Sequence, residues 1–292
     1  MSALALAVFL LGQAAPATAP GTEVRALTVT LLDGKGAVVE DVSPSDVALL
    51  ENGVARDIVS FKPDRRPLSV AILVDSSAAV GSSYRLNVVD AVLGLVARLP
   101  DGARYALWTS GDRPTKVVDH TDDRQAAGPA LRMVAPQGGN YVLDAVAEAS
   151  ADLRKLAREG DRTAVVVVTF TGPEFSYRDK YRAAEEGEKN VDLLLAAQID
   201  AGGDDFETRS NLSYVLDRVA RATGGRYDVV LSSMGVDDAL RKLSPHLRSG
   251  YRLTYATVAD LKRRKLEVSV ARPGTKVLLP AGSEREASAG ER

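Results

Sequence analysis

The stretch Leu68-Ser69-Val70-Ala71-Ile72-Leu73-Val74-Asp75-Ser76-Ser77 decides the fold. Apart from Ser69 its first seven residues are aliphatic, without the polar alternation of a half-exposed strand. Such runs mark strands buried on both faces of a parallel sheet. The run stops at three oxygen-bearing side chains, and Ala164 to Val168 is a second run of the same kind. Between and around them lie amphipathic helices. Tyr84 to Leu99 carries Leu86, Val89, Val92 and Val96 at helical spacing. Val142 to Glu159 turns Val142, Val146, Ala149, Leu153 and Leu156 inward and Glu148, Asp152, Lys155 and Glu159 outward. Tyr105 to Thr109 and Thr115 to Asp119 read as a strand pair joined by Ser110-Gly111-Asp112. The pattern then predicts a helix over Tyr177 to Lys189, a strand over Val191 to Ile199 and a helix over Leu212 to Thr223 closed by Gly224. A strand over Tyr227 to Leu231 and a helix over Val236 to Leu247 complete it. This alternation predicts a doubly wound, mostly parallel α/β sheet.

On either side of this region the period drops to two. Leu27, Val29 and Leu31 alternate with Thr28 and Thr30, and Val47 to Leu50 runs through Asn52-Gly53, a strong hairpin signal, towards Ile58 to Phe61. After Gly250, Tyr251, Leu253 and Tyr255 alternate with Arg252 and Thr254, Leu266 to Val270 repeats the pattern, and Val277 to Leu279 reads as a last strand. Each group has too few strands for a stable sheet of its own. The two are therefore expected to fold together as a small β domain, a sandwich, into which the α/β domain is inserted. The expected boundaries are 23–63 and 250–282 for the two β segments, 67–249 for the α/β domain and 283–292 for a disordered polar tail. Leu4 to Leu11 is apolar, small residues follow it, and no charge precedes Glu23. Residues 1–19 thus read as a secretory signal, shorter than the roughly 20 apolar residues that span a bilayer. Export to the periplasm or beyond is expected, with no membrane insertion once the signal is removed.

Composition removes several chemistries. The 292 residues carry 37 basic and 39 acidic side chains, two histidines, His120 and His246, and no cysteine. Disulfides, thiolate zinc sites, iron–sulfur clusters and thiol nucleophiles are excluded. Near-balanced charge argues against nucleic acid as a partner. The one dense basic run, Lys262-Arg263-Arg264-Lys265, has no interleaved aromatics and reads as solvated charge in a hairpin loop. The acidic pairs Asp204-Asp205 and Asp237-Asp238 fall in a polar loop or a helix's first turn, where they need no catalytic role. No Gly-x-Ser-x-Gly elbow occurs, and neither histidine sits in a base motif.

Three segments in order carry a resemblance. Leu68 to Ser77 resembles the first strand and Asp-x-Ser-x-Ser loop of the von Willebrand factor A domain. Gln137-Gly138-Gly139-Asn140-Tyr141-Val142-Leu143-Asp144-Ala145 resembles its Gly-Gly-Thr-x-x-x-Asp-Ala segment, and Val165 to Thr171 its fourth strand. Glu51 to Phe61 and Leu247 to Tyr255 are similar to the flanks of an exported bacterial subgroup. The resemblance spans roughly residues 23 to 282. It implies a Rossmann-like sheet whose strand ends meet at a crevice, the usual ligand position in open α/β sheets. There an Asp, two Ser, a Thr and a second Asp offer oxygens to Mg²⁺, and the cation takes a carboxylate from a partner protein.

Carried over residue by residue, Asp75 and Ser77 match the first Asp and Ser. Ala79 stands where the second Ser belongs, and Asn140 stands at the Thr position with an amide carbonyl able to ligate. Thr169-Phe170-Thr171-Gly172 replaces Thr-Asp-Gly, so the second Asp is missing and Glu174 is the nearest substitute. This predicts a degenerate metal-ion-dependent adhesion site, with metal candidates Asp75, Ser77 and Asn140. No cofactor is expected, and Mg²⁺ in a modified site is the alternative. Asp75 also reads as an acceptor for turn amides and Asn140 as a helix cap. Tyr141, Phe170, Phe175 and Tyr177 fall on loops that the fold brings to one crevice, as a plug or as an aromatic binding surface. The expected function is an exported module, not an enzyme, for adhesion or assembly with another protein, independent of metal. Its docking residues are Asp75, Ser76, Ser77, Asn140, Tyr141, Phe170, Thr171, Glu174 and Phe175. The alternatives are Mg²⁺-dependent adhesion and a hydrolase using a crevice carboxylate.

Overall fold

A computed structural model describes residues 22–200, 206–259 and 264–280. The expected signal at 1–19, the tail at 283–292, Asp204-Asp205 and Lys262-Arg263 lie outside the described residues. Strands β1 (Thr22–Leu32), β2 (Val47–Glu51), β3 (Val54–Ala55) and β4 (Ile58–Pro63) come first. The α/β region holds β5 (Leu68–Val74), α1 (Val89–Ala97), β6 (Arg104–Thr109), β7 (Thr115–Thr121), α2 (Ala127–Met133) and α3 (Val142–Leu156). It continues with β8 (Arg162–Phe170), α4 (Lys180–Asn190), β9 (Leu193–Ile199), α5 (Phe206–Thr223), β10 (Arg226–Val230) and α6 (Val236–Arg248). Strands β11 (Tyr251–Val258), β12 (Leu266–Val270) and β13 (Lys276–Leu278) close the described chain.

The main sheet runs β10-β9-β8-β5-β6-β7, parallel except for β7. Every residue of β5 is buried, and alternate side chains feed two separate cores. Val70, Ile72 and Val74 pack with α1, α2 and α6, whereas Ala71 and Leu73 pack with α3, α4 and α5. That double burial is why the strand reads as a near-continuous aliphatic run. Several elements differ from the sequence reading: Leu86 and Leu156, expected to face inward, are exposed, and α5 begins at Phe206 and not at Leu212. Helix α2, seven residues including Gly128-Pro129, is too short to leave a periodic signal. Helix α4 starts at Lys180 and not at Tyr177, because the Asp179 carboxylate accepts from the backbone N–H of Tyr181 and Arg182 at 2.9 and 3.0 Å. Tyr177 is thereby left in the loop.

The terminal strands form two antiparallel sheets, β13-β1-β11-β4 and β12-β2-β3. Leu27, Val29, Leu31, Leu49, Phe61, Leu253, Tyr255 and Val268 share one core between them. Strands β4 and β11 are direct neighbours, so the whole α/β region enters and leaves between two paired strands, where Asp64 N–H donates to the Gly250 carbonyl at 2.7 Å. The Asn52-Gly53 turn has φ of 52° and 78°, the paired positive values of a two-residue hairpin.

Within the basic run, Arg264 is not solvated charge in a hairpin loop. Strands β11 and β12 belong to different sheets, and Arg264 is buried beside the core that joins them. Its guanidinium donates to Glu51 Oε1, Glu23 Oε1 and the Val258 carbonyl at 2.7, 2.7 and 2.8 Å. Buried Glu51 also accepts from Arg56 Nε at 2.8 Å and from Thr257. Burial pushes the Glu51 carboxyl up, but Thr257, Arg264 and Arg56 hold it below the usual carboxylate value. Removing one partner of a buried pair costs about 3 kcal/mol because the other charge is left uncompensated. Arg264→Met is expected to lower stability in urea unfolding by that order, and adding Glu51→Gln is expected to recover part of the loss.

Candidate functional site

Parallel strands β5, β6 and β8 end at the same sheet edge, and their loops close around the segment that enters α3. Asn140 stands at the centre, bridged to Gly111 on one side and to Glu174 on the other. Beneath it lies Asp75, 1% exposed at the end of β5. Oδ1 of Asp75 accepts from the Ser77 N–H at 2.8 Å. Oδ2 accepts from the Phe170 N–H at 2.8 Å, from Asn140 Nδ2 at 2.9 Å and from Thr169 Oγ1 at 3.1 Å. A carboxylate offers about four lone-pair positions, and four protein donors meet this one, three of them at Oδ2. Burial pushes its pKa up, and the donors from Phe170, Ser77 and Thr169 pull against that shift.

Asn140 is committed at both ends. Its Nδ2 also reaches Thr169 Oγ1 at 2.9 Å, and its Oδ1 accepts from Ser110 Oγ at 2.8 Å. It does not cap α3: the capping position is Tyr141, with no side-chain cap. Ser76 Oγ accepts from the Gly111 N–H at 3.0 Å. The hydroxyl of Ser77 lies beside the Asp75 carboxylate without hydrogen-bond geometry. Half-buried Thr171 takes a hydrogen bond from Gln198 Nε2 at 3.1 Å. Glu174 Oε1 accepts from the Ser176 N–H at 2.9 Å, while its buried Oε2 has no hydrogen-bond partner. Burial pushes Glu174 up to about 7, and the Asp75 charge adds to the shift.

Phe170, expected at the crevice surface, is a core residue at 2% exposure. Strand β8 runs two residues further than its apolar run, pairing Phe170 with Ile199, and the ring joins the core under α1 and α6. Asp75, Ser76, Ser77 and Asn140 are also buried, so they form the floor of the crevice and not its contact surface. The exposed aromatics are Phe175 and Tyr177, the latter 91% exposed, grouped with half-buried Tyr141 at centroid distances of 6.3 and 6.1 Å from it. Asp144, in the first turn of α3, holds their loop. Its carboxylate accepts from the N–H groups of Tyr177 and Arg178 and from Arg178 Nη1, at 2.9, 3.1 and 2.9 Å. In return its own N–H donates to Ser176 Oγ at 3.0 Å. Asp144, Ser110, Thr169 and Arg178 were not among the sequence candidates. Asp144 does sit in the Gly-Gly-containing segment quoted above, the one signal that marks it.

The donor set does not fit Mg²⁺. Ala79 supplies no oxygen, no second Asp follows β8, and Asn140 turns its amino group, not its carbonyl, towards Asp75. Among the described residues no group of three or more acidic or histidine side chains is arranged for a metal. Neither histidine reaches the crevice. His120 lies near the start of β6, its carbonyl accepting from Arg104, and buried His246 lies beside Arg162 at the start of β8.

The six-stranded, doubly wound sheet, with its loops gathered over Asp75 at the strand ends, has the α/β architecture of the von Willebrand factor A class. The sequence agrees: residues 70–172 match the von Willebrand factor type A domain family, and the chain carries such a domain. No curated protein matches the chain. Among solved structures, a von Willebrand factor type A protein from Catenulispora acidiphila shares 10% identity at a TM-score of 0.55, over 89% of this chain and 73% of that one. Proximal thread matrix protein 1 from the mussel byssus, with a zinc-occupied metal-site motif, shares 17% identity at a TM-score of 0.50. That match covers 66% of this chain and 48% of the mussel chain, so it spans about half the mussel protein. The von Willebrand factor domain of the type V pilus tip protein Mfa5 from Porphyromonas gingivalis shares 10% identity at a TM-score of 0.48, over 62% of this chain and 95% of that one.

Two consequences are measurable. A Cβ at Gly111 would run into the Ser76 carbonyl, so Gly111→Ala is expected to cost about 2 kcal/mol in urea unfolding by forcing the two loops apart. For Glu174 the folded value is raised from 4.5 to about 7. In that window the unfolded chain has lost the proton and the folded chain has kept it. Stability therefore falls as pH rises through it, by on the order of 2 kcal/mol, and the loss is complete above it. Glu174→Gln is expected to flatten this slope and to be more stable than the parent at alkaline pH, read as the midpoint of thermal unfolding against pH.

Proposed function

We propose that this chain is an exported, non-enzymatic protein-binding module for adhesion or assembly, whose partner docks on the crevice loops without a metal ion. The observation that carries the reading is the cluster of Tyr141, Phe175 and Tyr177 standing over a hydrogen-bonded floor. Aromatic side chains are enriched in interface cores, and a rigid floor reduces the ordering cost of association. Glu174 and Thr171 lie on the same loop and complete the contact surface. The four donors already held by the Asp75 carboxylate support metal independence, because Mg²⁺ would compete with them. The placement of both histidines, His120 near the start of β6 and His246 beside Arg162, argues against histidine-based hydrolysis at these loops. The apolar segment at Leu4 to Leu11 supports export, and the partner is another protein, not nucleic acid.

Isothermal titration with Mg²⁺ and with Mn²⁺ is expected to give only heats of dilution. Saturable heat that disappears in Asp75→Ala would establish the metal-dependent alternative. A photo-crosslinking amino acid at position 175 or 177 is expected to capture one common protein in native cells, and the same probe at exposed Val59 in β4 is expected not to. Equal capture from both places would move the docking surface away from the crevice.

A further inference from the structure

Resting on that reading, we infer that the crevice recognises a basic side chain of its partner, a lysine or arginine laid over Tyr141, Phe175 and Tyr177. This reverses the polarity that a metal-bearing crevice would have, in which a bound cation seeks a carboxylate.

Aromatic faces attract cations, and the contact strengthens where nearby carboxylates set the local potential. Elsewhere among the described residues, several rings are already covered by the chain's own cations. Lys116 Nζ lies 5.2 Å from the Trp108 centroid, and Lys180 Nζ lies 5.5 Å from both Tyr181 and Tyr214. Arg218 also covers Tyr214, at 5.8 Å. Among the described residues no Lys or Arg lies over Tyr141, Phe175 or Tyr177.

The charge around the trio is one-sided. Arg178, next to Tyr177, is shared by Asp144, Glu148 and Glu186 at 2.9, 3.3 and 3.1 Å. Arg182 adds one more cation at Glu186. With Glu174, four carboxylates face two guanidinium groups. Glu174 is the carboxylate adjacent to the trio along the chain. Its backbone is bridged to Asn140, beside Tyr141, and it immediately precedes Phe175. Its carboxylate faces the Ser176 and Val142 amides, with Oε2 taking no hydrogen bond from the chain. A partner cation over the rings compensates this charge, and a partner carboxylate is repelled by it.

The test uses the full chain, labelled with ¹⁵N, in the presence of EDTA and at a pH of about 8, where Glu174 is ionised. The probes are four capped tripeptides, Gly-Lys-Gly, Gly-Arg-Gly, Gly-Glu-Gly and Gly-Leu-Gly. The lysine and arginine peptides are expected to shift the amide signals of Tyr141, Phe175, Tyr177 and Arg178, and the glutamate and leucine peptides to leave them in place. Glu174→Gln and Tyr177→Leu are each expected to weaken the lysine peptide by about fivefold. Both are conservative at a loop site, and an unchanged spectrum elsewhere verifies their fold. Equal shifts from the leucine or glutamate peptide, or unaltered lysine affinity in Glu174→Gln, would overturn the inference while leaving the crevice a docking surface. If no peptide shifts these signals, recognition of a basic side chain is overturned, and crosslinking from positions 175 and 177 then decides separately whether the crevice docks a protein at all.

Discussion

The Asp75 carboxylate, held at the end of the central strand by donors from Ser77, Asn140, Thr169 and Phe170, is the contact on which the crevice depends. Those donors come from the β5 loop, the segment before α3 and the end of β8, so one buried group ties three chain segments together. Burying a carboxylate without partners is prohibitively costly. The four donors together offset that cost, and the relative placement of the three segments is over-determined. A bound cation would do the same tying job in a metal-bearing relative of this fold. In this chain the Asn140 amide does it by donating to Asp75 and Thr169 while accepting from Ser110.

Upon this floor the exposed part of the crevice is assembled by a second carboxylate. Asp144 sits in the first turn of α3, where the positive end of a helix favours acid groups. From there it takes the amides of Tyr177 and Arg178. The late start of α4, set by the Asp179 cap, leaves these residues in a loop. Two local decisions, one cap and one anchor, thus put aromatic rings on the outside of an otherwise polar site. At the opposite sheet edge the chain enters and leaves between neighbouring strands β4 and β11. The terminal β sheets are thus tied to the end of the α/β region away from the crevice.

Most of the architecture was legible from the chain. Near-continuous aliphatic runs gave β5 and β8, helical spacing gave α3 and α6, and Asn52-Gly53 gave a hairpin turn with both φ values positive. The errors share a cause. Phe170, Asn140 and Arg264 are residues whose role depends on what lies across from them, and a linear pattern carries no such information. Phe170 was read as a loop aromatic but meets a core. Asn140 was weighed as a ligand or a cap but donates to a carboxylate 65 residues earlier. Arg264, in a run of like charges, finds a buried glutamate 213 positions away.

By itself the sequence determined the sheet, its two helical layers and the absence of thiol chemistry, because burial on one or two faces imposes a period on the chain and composition limits its reagents. The resemblance to the von Willebrand factor A domain also implied that Asp75, Asn140 and Glu174 lie on neighbouring loops, and Asn140 does meet Asp75 and Glu174. Only the tertiary structure decided which way the Asn140 amide faces, that Phe170 points inward, and that Tyr141, Phe175 and Tyr177 form the exposed surface. Side-chain orientation at a loop is set by hydrogen bonds to distant residues, and those partners meet only when the chain has folded.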